Sequence, residues 1–176
     1  MKEFVVLEGT PPSEFEETYG EDVLKHAIFE EPLSKVRRRK TVTVPATASI
    51  ADVIQAMNDA HVGCALVVRL RKLVGIFTER DVLRKVALGG MDLRKTAVET
   101  VMTPDPDTLP SSASIAFALR TMSVEGYRHI PLVDSEGAPV GVVAVRDIVG
   151  WLARLFPESV LNLPPEPGFP KTVDGG

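Results

Sequence analysis

Apolar residues recur with helical spacing in two segments of the chain, 50–57 and 115–122. The apolar positions are Ile50, Val53, Ile54 and Met57 in the first segment, and Ile115, Ala118, Leu119 and Met122 in the second. Because positions i, i+3, i+4 and i+7 share one side of a helix, each segment predicts an amphipathic helix packed on a core. Ser49 and Ser114 directly precede these segments and are the expected N-caps.

Short apolar runs surround both predicted helices and indicate strands. One run before each helix, 41–44 or 108–109, ends at a proline, whose missing N–H stops strand pairing. Two runs follow each helix, "CALVV" with "KLVGIF" and "HIPLV" with "PVGVVAV", the second pair separated by the turn "DSEG". A closing helix is expected to begin near Glu79 and near Arg146. These helices are expected to end at Gly89–Gly90 and before Pro157.

The two halves of the chain share this order because they form a tandem repeat. Pro45 and Pro110 lie 65 residues apart, and Asp81 and Asp147 lie 66 apart. A β-α-β-β-α unit of about 60 residues cannot cover both faces of its own three-stranded sheet. We therefore expect an α+β fold in which two tandem β-α-β-β-α units pack sheet to sheet with pseudo-two-fold symmetry. The helical faces left exposed are candidates for a homodimer interface.

Charge is distributed unevenly along the 176 residues, whose formal net charge is −4. Residues 1–34 carry −7, residues 35–98 carry +8 and residues 99–176 carry −5. The basic middle suits a phosphate-bearing ligand or partner, or is neutralised by its flanks. Nucleic acid is disfavoured because Phe77 is the only aromatic residue of this middle segment. No stretch has the length and apolarity of a signal peptide or membrane span, so we expect a cytoplasmic protein.

Two longer stretches identify a family. "VGIFTERDVLRKV" and "YRHIPLVDSEGAPVGVVAVRDIV", with the proline after each first strand, resemble a tandem pair of CBS domains, the Bateman module, over roughly residues 36–155. The resemblance implies two CBS domains (36–98 and 99–156). The acidic N-terminal extension (1–35) has a capping-box spacing at Ser13 and Glu16, which predicts a short amphipathic helix over 13–31, and the tail (157–176) is rich in proline. The resemblance also implies a regulatory, non-catalytic protein, commonly dimeric, that binds AMP, ADP, ATP, an NAD-type or an S-adenosyl ligand in clefts between the two copies.

Asp81 is the residue expected to hold the ribose of such a ligand. A carboxylate that accepts both ribose hydroxyls makes charge-assisted hydrogen bonds and excludes sugars that lack the diol. The spacing of Thr78 and Asp81 is also that of a capping box, so a purely structural role is the alternative from spacing alone. The resemblance implies that the same helix start serves both roles, with the Thr78 hydroxyl near ribose or phosphate.

The resemblance also implies the remaining site residues. The phosphate-binding residues of the Asp81 cleft would be Arg128, His129 and Arg146. The adenine wall would be Thr43, Val44, Pro45, Ile76 and Phe77, although core packing alone would also explain these residues. The second cleft would pair Asp147 with Arg80, and we expect it to be weak because Gly63 and Cys64 replace Arg128 and His129, and Ala144 replaces Thr78.

Other chemistry has little support in the sequence. His61 and Cys64 supply two of the ligands of a structural zinc site, and nothing nearby completes the set, so no metal is expected. No serine or cysteine has the setting of a nucleophile, so the protein is not expected to be an enzyme. The leading hypothesis is a regulatory module that senses energy or metabolite levels, binds one adenine nucleotide per chain and acts on an unidentified protein partner. The alternatives are a ligand-free dimerisation or scaffold module and nucleic-acid binding through the basic middle.

Overall fold

A computed structural model describes residues 29–36, 40–87 and 89–155 of the chain, the last without its side chain. The acidic helix predicted over 13–31 lies mostly outside these residues, as do the basic run 37–39 and the proline-rich tail. Within the described residues, no helix is long and apolar enough to cross a membrane.

The first unit forms a four-stranded sheet in the order β1-β2-β3-β4. Its elements are β1 (Val42–Pro45), α1 (Ile50–Ala60), β2 (Cys64–Arg69), β3 (Lys72–Thr78), α2 (Glu79–Asp81, continued by a π-helical turn Val82–Val86) and the short β4 (Thr103–Pro104). β1 and β2 are parallel because α1 carries the chain back between them, whereas β2 and β3 form an antiparallel hairpin. The Ser49 hydroxyl accepts the Asp52 N–H at 3.1 Å, which confirms the predicted N-cap.

The second unit has a smaller sheet. Its elements are α3 (Ile115–Glu125), β5 (His129–Val133), β6 (Pro139–Ala144) and α4 (Val145–Leu155). Ser114 caps α3 through the Phe117 N–H, as expected. The prediction of a strand at 108–109 is wrong. The segment forms only a single parallel bridge, between Leu109 and Leu132. Pro106 and Pro110 flank this short segment, and neither can donate a ladder hydrogen bond.

The closing helices differ between the two units. α4 extends to Leu155, in agreement with the predicted end before Pro157. The first closing helix does not reach Gly89 as a regular helix, because its last five residues, Val82–Val86, form a π-helical turn whose i to i+5 bond joins the Ala87 N–H to the Val82 carbonyl at 2.8 Å.

The strands of both units alternate between two cores. In β2, Ala65 and Val67 face the helices of the first unit, while Cys64 and Leu66 face the other sheet. Cys64, Leu66 and Ile76 form a cluster against which Val142 of β6 packs. The two sheets therefore contact each other face to face, as the fold class requires, and the helices lie outside them.

Each unit is completed by a segment that precedes the other unit in sequence. Leu33 and Val36 belong to the core of the second unit, whereas Val98 and Val101 belong to the core of the first. Backbone bridges join Pro32 to Ser114 and Ser49 to Ala97, two pairs that correspond by the 65-residue repeat. This exchange ties the two units together and builds the pseudo-two-fold arrangement that creates the clefts.

Candidate ligand-binding clefts

Two cavities of very different size lie between the two units. The larger has a volume of about 260 Å³ and the smaller about 20 Å³. The larger approaches the range of small-molecule sites, roughly 300–1,000 Å³, whereas the smaller has room for about one water molecule. Gly63 and His129 line both cavities, so the two clefts share a wall.

Asp81 forms part of the wall of the larger cavity and is the one buried charged side chain among the described residues, with 7% of its surface exposed. β3 ends at Thr78, whose extended backbone begins α2. The Thr78 N–H and Oγ1–H donate to Asp81 Oδ2 at 2.9 and 2.7 Å, while the Asp81 N–H donates to Thr78 Oγ1 at 3.3 Å. The capping box predicted from spacing is therefore present.

Lys85 and Thr103 hold the other carboxylate oxygen of Asp81. Lys85 Nζ lies 2.8 Å from Oδ1, and the Thr103 hydroxyl lies 3.4 Å from it. Lys85 is one turn beyond Asp81 on the same helix, whereas Thr103 belongs to the linker between the two units. Sequence reasoning missed both residues, although the i, i+4 spacing of Asp81 and Lys85 is a recognisable ion-pair signal.

Four cationic side chains line the larger cavity and contribute a positive field to it. They are Arg80, Arg84, Lys85 and Arg128, against the carboxylates Glu79, Asp81 and Asp107. Arg80 also donates to the Gly126 carbonyl at 3.2 Å and so links the two units across the cavity. Arg84 and Asp107 were not anticipated from the sequence.

His129 also lines the larger cavity, as predicted. Burial lowers the pKa of its imidazole below the usual 6.5, and the nearby Arg146 guanidinium lowers it further. The ring is therefore neutral at pH 7 and offers one donor and one acceptor instead of a cation. A methyl group added at Gly63 would lie 3.3 Å from His129 Cε1, which is a tight contact. The absence of a side chain at Gly63 therefore leaves room for the His129 ring.

The smaller cavity is lined by Asp147 and by two cations, Lys40 and Arg146. Asp147 Oδ2 accepts the Ala144 N–H at 3.1 Å, which preserves one half of the capping box after the loss of the threonine hydroxyl. Burial raises the pKa of the Cys64 thiol in this wall to about 12, so the thiol is protonated and apolar in character.

The structure places two predicted arginines on the opposite clefts. Arg146 lines the smaller cavity with Asp147, and Arg80 lines the larger cavity with Asp81. Each arginine directly precedes the aspartate at the start of its own closing helix, and it lines the same cavity as that aspartate. Arg128 and His129 line the Asp81 cavity from the second unit. Which of these side chains bind phosphate stays a prediction.

Of the predicted adenine wall, Ile76 lines the larger cavity, and the adenine contact itself stays a prediction. Val44 and Phe77 are buried in the core of the first unit, and Thr43 and Pro45 are exposed on β1. The segment ahead of the second unit's first helix, called its lead-in here, also lines the larger cavity, at Pro106 and Asp107. The corresponding lead-in of the first unit, Lys40 and Thr41, reaches the smaller cavity. Because the two sheets pack face to face, each cleft combines the helix start of one unit with the lead-in of the other.

Metal chemistry finds no support in the part of the chain that the structure describes, where no group of three or more His, Cys, Asp or Glu residues could hold an ion. His61 has left-handed backbone at the end of α1 and is exposed, while Cys64 is buried.

Comparison with known proteins identifies the family that this two-unit fold and its clefts define. A family model of the CBS domain matches residues 33–88 and 98–154, which together make up more than half of the chain. The chain therefore belongs to the CBS domain family and carries two copies of the domain. The CBS domain-containing protein CBSCBSPB1 of Arabidopsis thaliana is 34% identical over 126 residues, which cover 70% of this chain. The chain spans about a quarter of that relative, since the match covers 23% of the plant protein.

Solved structures agree with the family assignment. A putative signal-transduction protein with CBS domains from Burkholderia ambifaria superposes with a TM-score of 0.64 and 30% identity, over 69% of this chain and 91% of that protein. The CBS domain protein PAE2072 from Pyrobaculum aerophilum, solved in complex with AMP, gives a TM-score of 0.64 and 27% identity, over 74% of this chain and 99% of that protein. The chain is thus similar both to a CBS protein connected with signalling and to one that binds a nucleotide.

Proposed function

We propose that this chain is a regulatory module that binds one adenine nucleotide in the larger cavity. The observation that carries the proposal is the contrast in volume, about 260 Å³ beside Asp81 against about 20 Å³ beside Asp147. A nucleotide needs far more space than one water molecule, so of these two cavities among the described residues the larger is the one that approaches the size of a ligand site.

The chemistry of the larger cavity suits a nucleoside with phosphate. Asp81 supplies acceptors for a ribose diol, and Ile76 supplies apolar surface for a base. Arg80, Arg84 and Arg128 supply donors for phosphate oxygens, with which a guanidinium pairs in bidentate geometry. AMP in the Pyrobaculum relative supports this ligand class, and AMP, ADP, ATP and an NAD-type ligand are the candidates.

The tertiary position of the cavity supports a regulatory role. Its walls come from both units, so a bound ligand favours one relative arrangement of the two units over others. A protein partner that binds one arrangement more tightly would read the ligand concentration, and the coupling would be reciprocal.

Matched substitutions of the two aspartates test the proposal. Calorimetric titration with AMP, ADP, ATP and NAD should give a stoichiometry near one per chain for the best ligand. Asp81→Asn should abolish binding, whereas Asp147→Asn, the same change at the pseudo-symmetric position, should leave most of it. At a ligand concentration of 100 times Kd, the stabilisation of about 2.7 kcal/mol should raise Tm by roughly 5–10 °C. No heat and no Tm shift with any of the four ligands at millimolar concentration would contradict the proposal.

A second candidate function is a scaffold module without a ligand. The specific observation in its favour is that Asp81 is already engaged by Thr78, Lys85 and Thr103, as a structural cap requires. In that case Asp81→Asn lowers Tm while no adenine ligand changes it.

Self-association is part of the same proposal. Phe117 and Val124 are 49% and 68% exposed on α3, and Val149 is 56% exposed on α4. The repeat places Asp52 and Asp59 of α1 at the positions of Phe117 and Val124, so the apolar surface belongs to the second unit. A homodimer that buries this surface should appear as twice the chain mass in light scattering, and Phe117→Asp should reduce it.

A further inference from the structure

Four donors of the chain itself already satisfy the Asp81 carboxylate. Oδ2 accepts the Thr78 N–H and hydroxyl, at 2.9 and 2.7 Å. Oδ1 accepts Lys85 Nζ at 2.8 Å and the Thr103 hydroxyl at 3.4 Å. Each carboxylate oxygen has two lone pairs, so the acceptor capacity of Asp81 is filled before any sugar arrives.

The two oxygens differ in how easily they can change partners. The donors to Oδ2 belong to the residue that caps α2, and their positions follow from the helix start itself. The donors to Oδ1 are an ammonium at the end of a flexible side chain and a hydroxyl at a long distance. A ribose diol would therefore engage Oδ1 and would take the place of Lys85 and Thr103.

Lys85 connects this exchange to the linker between the two units. Its ammonium also donates to the Val101 carbonyl at 2.9 Å and to the Met102 carbonyl at 3.2 Å. The next residue, Thr103, pairs with Ile76 as part of the short edge strand β4. Asp81, Lys85 and linker residues 101–103 thus form one polar network beside the larger cavity.

The second unit does not repeat this network. The residue that corresponds to Lys85 is Trp151, which is buried in the core of that unit. The corresponding residue for Thr78 is Ala144. The lysine contact is therefore a property of the cleft that has the volume for a ligand, and general requirements of the fold do not explain it.

We infer that Lys85 competes with the ribose for Asp81, so that nucleoside binding releases the linker at residues 101–103. The inference rests on the proposed function and names the internal contact that would transmit it. It predicts that removal of this cation from the cleft strengthens the binding of a nucleoside.

Adenosine is the probe that isolates the competition, because it has the ribose diol but no phosphate that Lys85 could attract. Calorimetric titration should give a Kd for Lys85→Met roughly fivefold below that of the unsubstituted chain, the order expected for loss of a partly exposed ion pair. Lys95→Met is the matched control, since Lys95 is 86% exposed and pairs with Asp92, and its Kd should not change. An equal or higher Kd for Lys85→Met overturns the inference.

Hydrogen exchange tests the coupling to the linker. Saturating adenosine should speed amide exchange in residues 98–107 of the unsubstituted chain, while in Lys85→Met the segment should exchange fast with or without adenosine. Unchanged exchange in the unsubstituted chain overturns the coupling. Circular dichroism melting establishes that each variant is folded.

The outcomes also separate this inference from the proposed function. If AMP binds near one per chain but Lys85→Met binds adenosine no more tightly, or not measurably, the competition is wrong and the nucleotide site stands. If neither the unsubstituted chain nor Lys85→Met binds AMP or adenosine, the proposed function and the inference fail together.

Discussion

The two copies of the domain share the caps at their helix starts and differ in the side chains that line the clefts. Both keep a serine N-cap before the first helix and an aspartate that accepts a backbone N–H at the start of the closing helix. The corresponding pairs that differ are Thr78 with Ala144, Lys85 with Trp151, Gly63 with Arg128 and Cys64 with His129. The residues that cap the helices are thus alike, whereas the side chains that line the larger cavity have counterparts of different chemistry, as at Thr78, Lys85, Arg128 and His129. Among the described residues, the two pseudo-symmetric clefts therefore differ in volume and in lining.

The pair Lys85 and Trp151 should show the largest difference in stability. Trp151 is 8% exposed in a core with Leu33 and Val36, so Trp151→Ala should lower the free energy of unfolding by about 3–5 kcal/mol. The side chain of Lys85 is 41% exposed, and Lys85→Ala should cost only about 1 kcal/mol. Urea unfolding followed by circular dichroism measures both values. Losses of similar size would mean that the two positions have similar roles.

The hairpin turns should respond in opposite directions. Leu70 and Arg71 connect β2 to β3 with φ of 50° and 69°, a left-handed pair that favours Asn-Gly, whereas the corresponding turn of the second unit places Gly137 at φ 80°. Leu70→Asn with Arg71→Gly should raise the free energy of unfolding by about 1–2 kcal/mol, while Gly137→Ala should lower it by about 1 kcal/mol. Thermal or urea unfolding measures both changes. A double variant less stable than the unsubstituted chain would show that the contacts of Leu70 stabilise the fold by more than its left-handed backbone costs.

The smallest expected effect is a pH dependence of stability that comes from His129 and not from the corresponding Cys64. Because the pKa of His129 is lowered in the folded protein, the unfolded chain takes up this proton first as pH falls. The free energy of unfolding should therefore decrease as pH falls below about 6.5, the pKa of the unfolded chain. This decrease should level off below the lowered pKa of the folded protein. Arg146, Arg128, Glu79 and Asp147 are the charges that act on this ring.

The control for this pH dependence is the corresponding Cys64, whose raised pKa keeps its thiol protonated over the same range. Unfolding at pH 5.5 and 7.5 should show a smaller difference for His129→Gln than for the unsubstituted chain, and an unchanged difference for Cys64→Ala. An equal pH dependence in His129→Gln would contradict the assignment.

Local features of the site could be predicted from sequence because they depend on neighbours within one turn. The N-caps at Ser49 and Ser114 and the Thr78–Asp81 capping box are of this kind, and the structure has all three. Arg128 and His129 were also placed on the Asp81 cavity, through the family resemblance. Which cavity, if any, Arg146 and Thr43–Pro45 line could not be derived from the sequence, because no local pattern says which face of a sheet pair a residue will share with the other unit.

That this chain is a tandem repeat of an α+β unit can be read from the sequence alone, because the caps and prolines that mark each unit depend on residues close together along the chain. The structure was needed to show that the segment with Leu33 and Val36 completes the second unit. It was also needed to show that one cleft has about 260 Å³ and the other about 20 Å³, and that Lys85 joins Asp81 to the linker. The physical reason is that these features depend on how two sheets, joined by a linker, lie against each other. That packing is set by the whole core, and no short segment specifies it.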